Sequence, residues 1–186
     1  MWVTAGYSRQ RINALPGFSV GLSGGYEICK KALFLLPEDL DGKFTGVSRF
    51  WGIDANALKA ELDVSYRYGT KLEASAKVGY HRWKTADGGE TISYNRPQWE
   101  GGANIRYMPV RPFTLEAGYE FAAGREYSNL GKLSDIHLVH LKASYAFTSW
   151  FSLYGLTDNV LNRKYDILYG MPAQGINFMF GVDLKF

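Results

Sequence analysis

Three histidines and one cysteine are the residues in this chain whose chemistry could mark a catalytic or metal site. His137 and His140 are three positions apart, which places them on opposite faces of an extended strand and makes them a poor chelating pair. Asp135 lies near them in the sequence, and an aspartate close to histidines could suggest a hydrolase site. The spacing, however, places no nucleophile or general base beside them. His81 is isolated, and Cys29 alone excludes an internal disulfide and a multi-cysteine zinc site. The sequence therefore predicts no enzyme activity, no catalytic residue, no metal site and no cofactor.

Composition suits a single domain and argues against two classes of function. The chain has 186 residues, 46% of them hydrophobic and 21% charged, as in many soluble proteins. The longest uninterrupted apolar run, from Ala32 to Leu36, is far shorter than the roughly 20 residues of a membrane-spanning helix. The net charge is +3, and the lysines and arginines are scattered among acidic residues, so no nucleic-acid partner is expected. The 21 glycines and 16% aromatic residues favour strands, tight turns and aromatic rims.

The last dozen residues show the clearest secondary-structure pattern. From Gly175 to Phe186, every second residue from Ile176 onward is apolar, while the intervening residues are glycine, polar, charged or methionine. Strict period-2 alternation predicts a strand with one apolar face. Its length suits a bilayer crossing of about 9 to 11 tilted residues. A soluble β-sandwich, or a ligand-binding barrel with its apolar face inward, also alternates and stays open as an alternative.

The same rhythm recurs along the chain. Pro37 to Gly42 is predicted to be a loop, and residues 43 to 56 lack clean alternation, which a bulge near Asn56 would explain. The count is about nine strands, or ten if that unclear part contributes another. The nine predicted strands cover about residues 1 to 8, 18 to 36, 58 to 68, 71 to 81, 98 to 107, 113 to 121, 138 to 147, 150 to 157 and 175 to 186.

The polar faces of these strands carry many charges of both signs. We expect them to form a solvated interior with cross-strand ion pairs. The charged residues on the predicted inner face are Lys59, Glu61, Asp63, Arg67, Glu73, Lys77, Glu100, Arg106, Glu116, Glu120, His140, Lys142, Asp183 and Lys185.

The links between strands alternate in length. Those at residues 69 to 70, 109 to 112 and 148 to 149 are short, whereas the links at residues 84 to 97, 125 to 135 and 158 to 174 are long. Short links on one rim and long ones on the other are typical of an outer-membrane barrel. Aromatic residues also gather at the strand ends, as in the girdles at the bilayer interfaces. They are Tyr66, Tyr68, Tyr107, Phe113, Phe147 and Phe186 toward the short-turn rim and Tyr80, Trp99 and Phe121 toward the other. The sequence thus predicts an all-β, antiparallel transmembrane β-barrel.

The C-terminal end resembles that of TonB-dependent outer-membrane receptors. The segment from residue 158 to 165 (DNVLNRKY) contains Asn159 and Tyr165 at the spacing of a family element that closes the penultimate strand. A turn with Pro172 and Gly175 then leads into the last strand, although the family's arginine is absent from this turn. The resemblance implies that the last strand ends in the barrel-assembly signal, whose residues here are Phe178, Phe180, Val182, Leu184 and Phe186.

The resemblance also implies an architecture and partners. Such receptors have a 22-stranded barrel, an N-terminal plug and a short energy-coupling segment, and neither plug nor coupling segment can be placed in residues 1 to 186. We therefore expect a single barrel segment of a larger receptor in the bacterial outer membrane. Its implied partners are outer-membrane lipid, the barrel-assembly machinery, an inner-membrane energy-coupling protein that contacts the missing N-terminal part, and a scarce solute of the siderophore, cobalamin or glycan class.

A smaller structure is the alternative. Ten strands would suit a complete outer-membrane barrel acting as a passive pore or scaffold, whereas an odd count does not suit a complete bacterial barrel. In either case the long links at residues 84 to 97, 125 to 135 and 158 to 174 are the predicted solute-binding surface.

Overall fold

A computed structural model describes residues 2–89, 91–92, 96–127 and 130–185. No helix among these residues is long and apolar enough to cross a membrane. The described residues form 14 strands: β1 (Trp2–Leu15), β2 (Phe18–Leu40), β3 (Lys43–Tyr68), β4 (Leu72–Thr85), β5 (Thr91–Ile92), β6 (Trp99–Val110), β7 (Phe113–Ala123), β8 (Glu126–Tyr127), β9 (Gly131–Lys132), β10 (Ile136–Ala146), β11 (Phe151–Asp158), β12 (Asp166–Leu168), β13 (Met171–Pro172) and β14 (Asn177–Leu184).

The nine long strands form one antiparallel meander. Their order in the sheet is β1-β2-β3-β4-β6-β7-β10-β11-β14, so each long strand pairs with the next one along the chain, and the short β5 adds to β4. The predicted all-β antiparallel class and the strand number of nine to ten are confirmed. Strands β1 and β14 lie at the two ends of this path and do not pair with each other, so the sheet is open. The total of 22 strands stays a prediction.

The register gives the sheet two chemically distinct faces. Residues directly opposite each other on neighbouring strands share a face, and side chains alternate along each strand. Lys59 therefore lies beside His81, and Glu73 beside Arg106, on a polar face that we call the lumenal face. The other face, which we call the outer face, exposes apolar side chains such as Phe180, whose relative exposure is 83%. The predicted apolar and polar faces are confirmed.

The links have the predicted asymmetry. Turns at residues 16–17, 69–71, 111–112 and 147–150 lie on one rim, which we call the short-turn rim. The described residues of the links at 86–98, 124–135 and 159–176 lie on the opposite, long-loop rim, together with the tip of the β2–β3 hairpin at residues 41–42. Because consecutive strands are antiparallel, successive links fall on alternate rims. Short and long links alternate along the chain from residue 69 onward, so the long ones share one rim.

The β2–β3 hairpin differs from the prediction. Strand β2 continues through the expected loop to Leu40, and only Asp41 and Gly42, both with positive φ, make the turn. The bulge lies in β2, between Cys29 and Ala32, and not near Asn56. Sequence pattern missed it because its cause is a tertiary pairing: the Asp54 carboxylate, on the opposite strand, accepts the Lys31 backbone N–H at 2.7 Å.

The buried apolar core is small and lies on the lumenal face near the long-loop rim. The bulge shifts the phase of β2, so that Ala32 and Phe34 join the face that already holds Cys29. Phe34 meets Trp83 edge to face, with ring centroids 5.8 Å apart. Cys29 is a buried small residue in a strand, as expected from the sequence. The cluster comprises Cys29, Ala32, Phe34, Ala55, Ala57, Trp83 and Ile92.

Candidate functional site

The lumenal face curves around a cavity of about 1240 Å³ that spans the strands from β2 to β11. This volume is larger than that of most small-molecule sites, which are about 300 to 1,000 Å³. One end of the wall is tied by a hydrogen bond of 2.7 Å between the hydroxyls of Ser19 and Ser65. The polar residues lining the cavity include Ser19, Ser65, Arg67, Glu73, Asn104, Arg106, Glu116, His140, Lys142 and Asp158.

Ion pairs join neighbouring strands across this face. Glu61 accepts from Lys77 at 2.8 Å, and Glu73 from Arg67 at 3.0 Å. At the same level of the wall, the Arg106 Nε and Glu116 Oε1 atoms are 3.6 Å apart. These are the cross-strand ion pairs expected from the sequence. Their side chains are largely exposed, so each contributes less than about 1 kcal/mol to stability. Their main effect is to fix an array of alternating charges along the wall.

His140 lines this cavity. Its Nδ1 lies 3.1 Å from Asp158 Oδ1, and its Nε2 lies 3.8 Å from Glu120 Oε2. His137 is on the outer face, where its Nδ1 forms a 2.8 Å hydrogen bond with the Tyr119 hydroxyl. The two histidines are therefore on opposite faces, as predicted from their spacing. Within the part of the chain that the structure describes, no group of three His, Cys, Asp or Glu side chains is placed to hold a metal ion.

The predicted solute-binding loop at residues 84 to 97 is anchored to the lumenal wall by Arg96. The Arg96 guanidinium carbon lies 4.3 Å from the Trp83 ring centroid and 4.5 Å from that of Phe34. Its Nη2 also donates to the Leu33 carbonyl at 3.3 Å. Burial of the guanidinium lowers the pKa of Arg96 below its ordinary value. Sequence reasoning missed this residue, because its partners are more than ten positions away and on two strands.

A second arginine ties together the other two long loops. Arg125 has a relative exposure of 3%, and its Nη2 donates to the carbonyls of Asp166 and Ile167 at 2.7 and 2.8 Å. The loop at residues 124–135 is thereby joined to the β12–β13 hairpin within residues 159–176. In addition, the Phe44 ring near the tip of the β2–β3 hairpin meets the Tyr169 ring at 5.5 Å. These two loops and the tip of the β2–β3 hairpin thus form a connected layer on the long-loop rim, although no pattern in the sequence identified Arg125.

The motif residues of the last loop form a hydrogen-bonded turn. Asn159 is 4% exposed and has a φ of 51°, in the left-handed region that asparagine tolerates best among residues with a side chain. Its amide donates to the carbonyls of Arg163 and Gln174, and its side-chain oxygen accepts the Arg163 N–H. A Cβ on Gly175 would lie 2.7 Å from the Asn162 side-chain oxygen, which explains the glycine there. Tyr165 contributes its carbonyl, which accepts the Ala173 N–H at 2.8 Å.

The predicted assembly-signal residues lie on the outer face of β14. Phe178, Phe180, Val182 and Leu184 are all exposed there, and Phe186 lies outside the described residues. Their exposure fits either lipid contact or recognition by another protein. Their role as an assembly signal therefore stays a prediction, as does the family role of Asn159, Tyr165 and Gly175.

Comparison with solved structures finds this fold in bacterial outer-membrane receptors. The copper transporter OprC is similar with a TM-score of 0.69 over 96% of this chain and 30% of its own length, at 16% identity. The siderophore receptor PiuA from Acinetobacter baumannii gives a TM-score of 0.67 over 95% of this chain and 27% of PiuA, at 13% identity. The ferripyoverdine receptor of the outer membrane of Pseudomonas aeruginosa gives a TM-score of 0.66 over 91% of this chain and 25% of the receptor, at 16% identity.

These likenesses establish the fold. The chain has the all-β architecture of the barrel wall in TonB-dependent outer-membrane receptors, and the resemblance inferred from its sequence is confirmed at that level. It spans about 25 to 30% of the length of these three proteins. No family model matches the sequence, and no curated protein matches it either.

Proposed function

We propose that this chain is a segment of the barrel wall of a TonB-dependent receptor in the bacterial outer membrane, serving the uptake of a scarce solute. The observation that carries the proposal is the open meander with an apolar outer face. In a bilayer, unpaired backbone groups at a sheet edge cost several kcal/mol each, because no water is there to bind them. Strands β1 and β14 therefore need further strands beside them, as in a larger barrel.

The lumenal face supports a role in transport. A wall of paired charges around a wide cavity is suited to contact with water, a polar solute or a polar plug. Among the similar proteins, OprC is a copper transporter and PiuA is a siderophore receptor. For this chain we propose a solute of the siderophore, cobalamin or glycan class, bound first at the long-loop rim. That the similar proteins are transporters and receptors supports transport over an enzymatic reaction.

The proposal includes partners that the chain itself does not display. The barrel-assembly machinery would recognise the last strand, and an inner-membrane energy-coupling protein would act through a segment N-terminal to this wall. Surrounding lipid would cover the outer face. Each of these follows from the proposed receptor class and each can be tested separately.

The experiment is an uptake assay in cells that express the intact protein carrying this chain. Cells with and without its gene are given ⁵⁵Fe-labelled siderophores, labelled cobalamin and labelled maltodextrins, each with and without a protonophore. We expect gene-dependent uptake of one probe that stops when the protonophore removes the energy source. Gene-dependent entry of the labelled maltodextrins that is insensitive to the protonophore would instead support the passive-pore alternative and overturn the importer.

A further inference from the structure

A group of four basic residues lies on the outer face, immediately beyond the apolar band. Lys30 follows the lumenal Cys29, and Lys31 lies beside Gly52 on the outer face, its Cβ 3.4 Å from where a Cβ on Gly52 would be. Arg82 and Lys84 flank Trp83, whose side chain is in the lumenal core, so both face outward. We call Lys30, Lys31, Arg82 and Lys84 the basic patch.

The β2 bulge concentrates this charge. In a regular strand, neighbouring residues point to opposite faces, but the extra residue in β2 leaves both lysines opposite Asp54. Lys31 has a φ of 52°, which is unfavourable for a residue with a long side chain. The Asp54 carboxylate accepts the Lys31 backbone N–H and stabilises this conformation. That carboxylate is thus engaged with the main chain on the face where the lysines lie.

The side-chain charges of the basic patch are not neutralised by ion pairs within the described part of the chain. Among the described residues, none of the ion pairs includes Lys30, Lys31, Arg82 or Lys84. This contrasts with the lumenal face, where Arg67, Lys77 and Arg106 each meet a glutamate. The patch is also well exposed, with only Lys84 partly covered. Its charge is therefore available to a ligand outside the protein.

The level of the patch along the strands indicates the kind of ligand. In β4, the outer-face apolar band runs from Leu72 to Tyr80, and Tyr80 packs on Trp99 with ring centroids 4.8 Å apart. Nine residues are enough to cross the hydrocarbon core, and an aromatic pair is typical of its boundary. Arg82 and Lys84 lie two and four residues farther toward the long-loop rim. That is the level of lipid headgroups, outside the hydrocarbon and away from the lumen.

We propose that the basic patch binds the phosphate groups of a phosphorylated glycolipid in the outer leaflet. Lysine and arginine side chains at a bilayer surface attract anionic headgroups and donate charge-assisted hydrogen bonds to phosphate oxygens. The inference rests on the outer-membrane setting proposed above but is independent of the transported solute. It assigns a function to the bulge, which holds two of the four cations on the lipid side.

Binding of lipid A, a phosphorylated glycolipid, to the intact purified protein tests the proposal. We expect R82Q/K84Q to bind lipid A about 30-fold more weakly than the wild type in a native mass spectrometry titration. This factor is the loss in affinity expected when two cations that attract an anionic lipid surface are removed. The charge-preserving R82K/K84R variant should stay within a few-fold of the wild type. The matched control K71Q/R111Q removes two exposed cations from the short-turn rim and should bind normally.

Two results would overturn the proposal. One is equal affinity of R82Q/K84Q and the wild type for lipid A. The other is equal affinity of the wild type for lipid A and for the same lipid without phosphates, since the recognised group would then not be phosphate. Fractionation of the intact protein away from the outer membrane would overturn the proposed receptor instead, so the two failures are distinguishable.

Discussion

A lysine scan across β10 tests the two-faced wall most directly, because neighbouring residues of this strand face lipid and lumen. Ala143 lies on the outer face, opposite Leu115 and Gly155, and Ser144 lies on the lumenal face, opposite Thr114 and Tyr154. The two side chains are small and adjacent, so Ala143→Lys and Ser144→Lys are a matched pair. Leu141→Lys places the same charge nearer the centre of the outer face, where Leu141 is 46% exposed.

The expected costs follow from where the new ammonium group would lie. A lysine on the lipid face near the bilayer midplane costs about 2 to 4 kcal/mol, and the cost falls to about 0 to 1 kcal/mol near the interfaces. We expect Leu141→Lys and Ala143→Lys to destabilise the protein by about 2 to 4 kcal/mol, with Ala143→Lys at the lower end because Tyr145 marks the nearby rim. Ser144→Lys should cost less than about 1 kcal/mol, since its charge reaches the solvated lumen that already holds Lys142.

The assay is urea unfolding of the intact protein in phospholipid vesicles, followed by tryptophan fluorescence and by protease resistance. The free energy of unfolding should fall for the two outer-face variants and stay near the wild-type value for Ser144→Lys. Measurement in detergent micelles provides a second comparison. A micelle adapts its shape to a charged side chain more easily than a bilayer, so the difference in unfolding free energy between outer-face and lumenal-face variants should be smaller. Equal losses for Ala143→Lys and Ser144→Lys in vesicles would refute the assignment of the outer face to lipid.

Three further predictions concern the long-loop rim. Arg125→Ala should remove two charge-assisted hydrogen bonds, each worth about 1.5 to 3 kcal/mol. The two loops should then open locally, so proteolysis within residues 124–135 and 159–176 should be faster. The midpoint of global unfolding should not change, because the strands keep their pairing. Unchanged cleavage would contradict the connected layer. Asn159→Ala should cost about 1 to 3 kcal/mol, with Asn159→Asp less harmful because it keeps an acceptor for the Arg163 N–H, as urea titration can measure. Arg96→Ala should change Trp83 fluorescence and expose the 86–98 link to protease, whereas Arg96→Lys should do so less; identical spectra for all three proteins would exclude the stacked arginine.

Much of the wall could be predicted from sequence because strand alternation is a local property. Leu58 to Tyr68 and Phe178 to Leu184 alternate cleanly, and each forms a strand with its apolar residues on the outer face. The pairing of cations with glutamates between neighbouring strands of the lumenal face followed from the same alternation and hairpin register. The β2–β3 hairpin was harder. Its phase changes at a bulge that depends on Asp54, which is 23 residues from Lys31.

The loops show where local pattern stops being informative. The long links were located correctly, but the residues that hold them, Arg96 and Arg125, carry no sequence signature that separates them from exposed arginines. Each is defined by partners brought near by the sheet: two rings and a carbonyl for Arg96, two carbonyls on another loop for Arg125. The same holds for the basic patch. It combines two consecutive lysines of β2 with two residues of β4, and β3 lies between these two strands.

The sequence by itself determined the strands, their two faces and the rim on which each link lies. The physical reason is that period-2 alternation and antiparallel succession require only neighbours along the chain. The tertiary structure decided the position of the bulge, the anchoring of the loops, the shape of the lumenal cavity and the open edges at β1 and β14. These depend on which strands lie side by side and on the curvature of the sheet, and both arise from contacts between residues far apart in sequence.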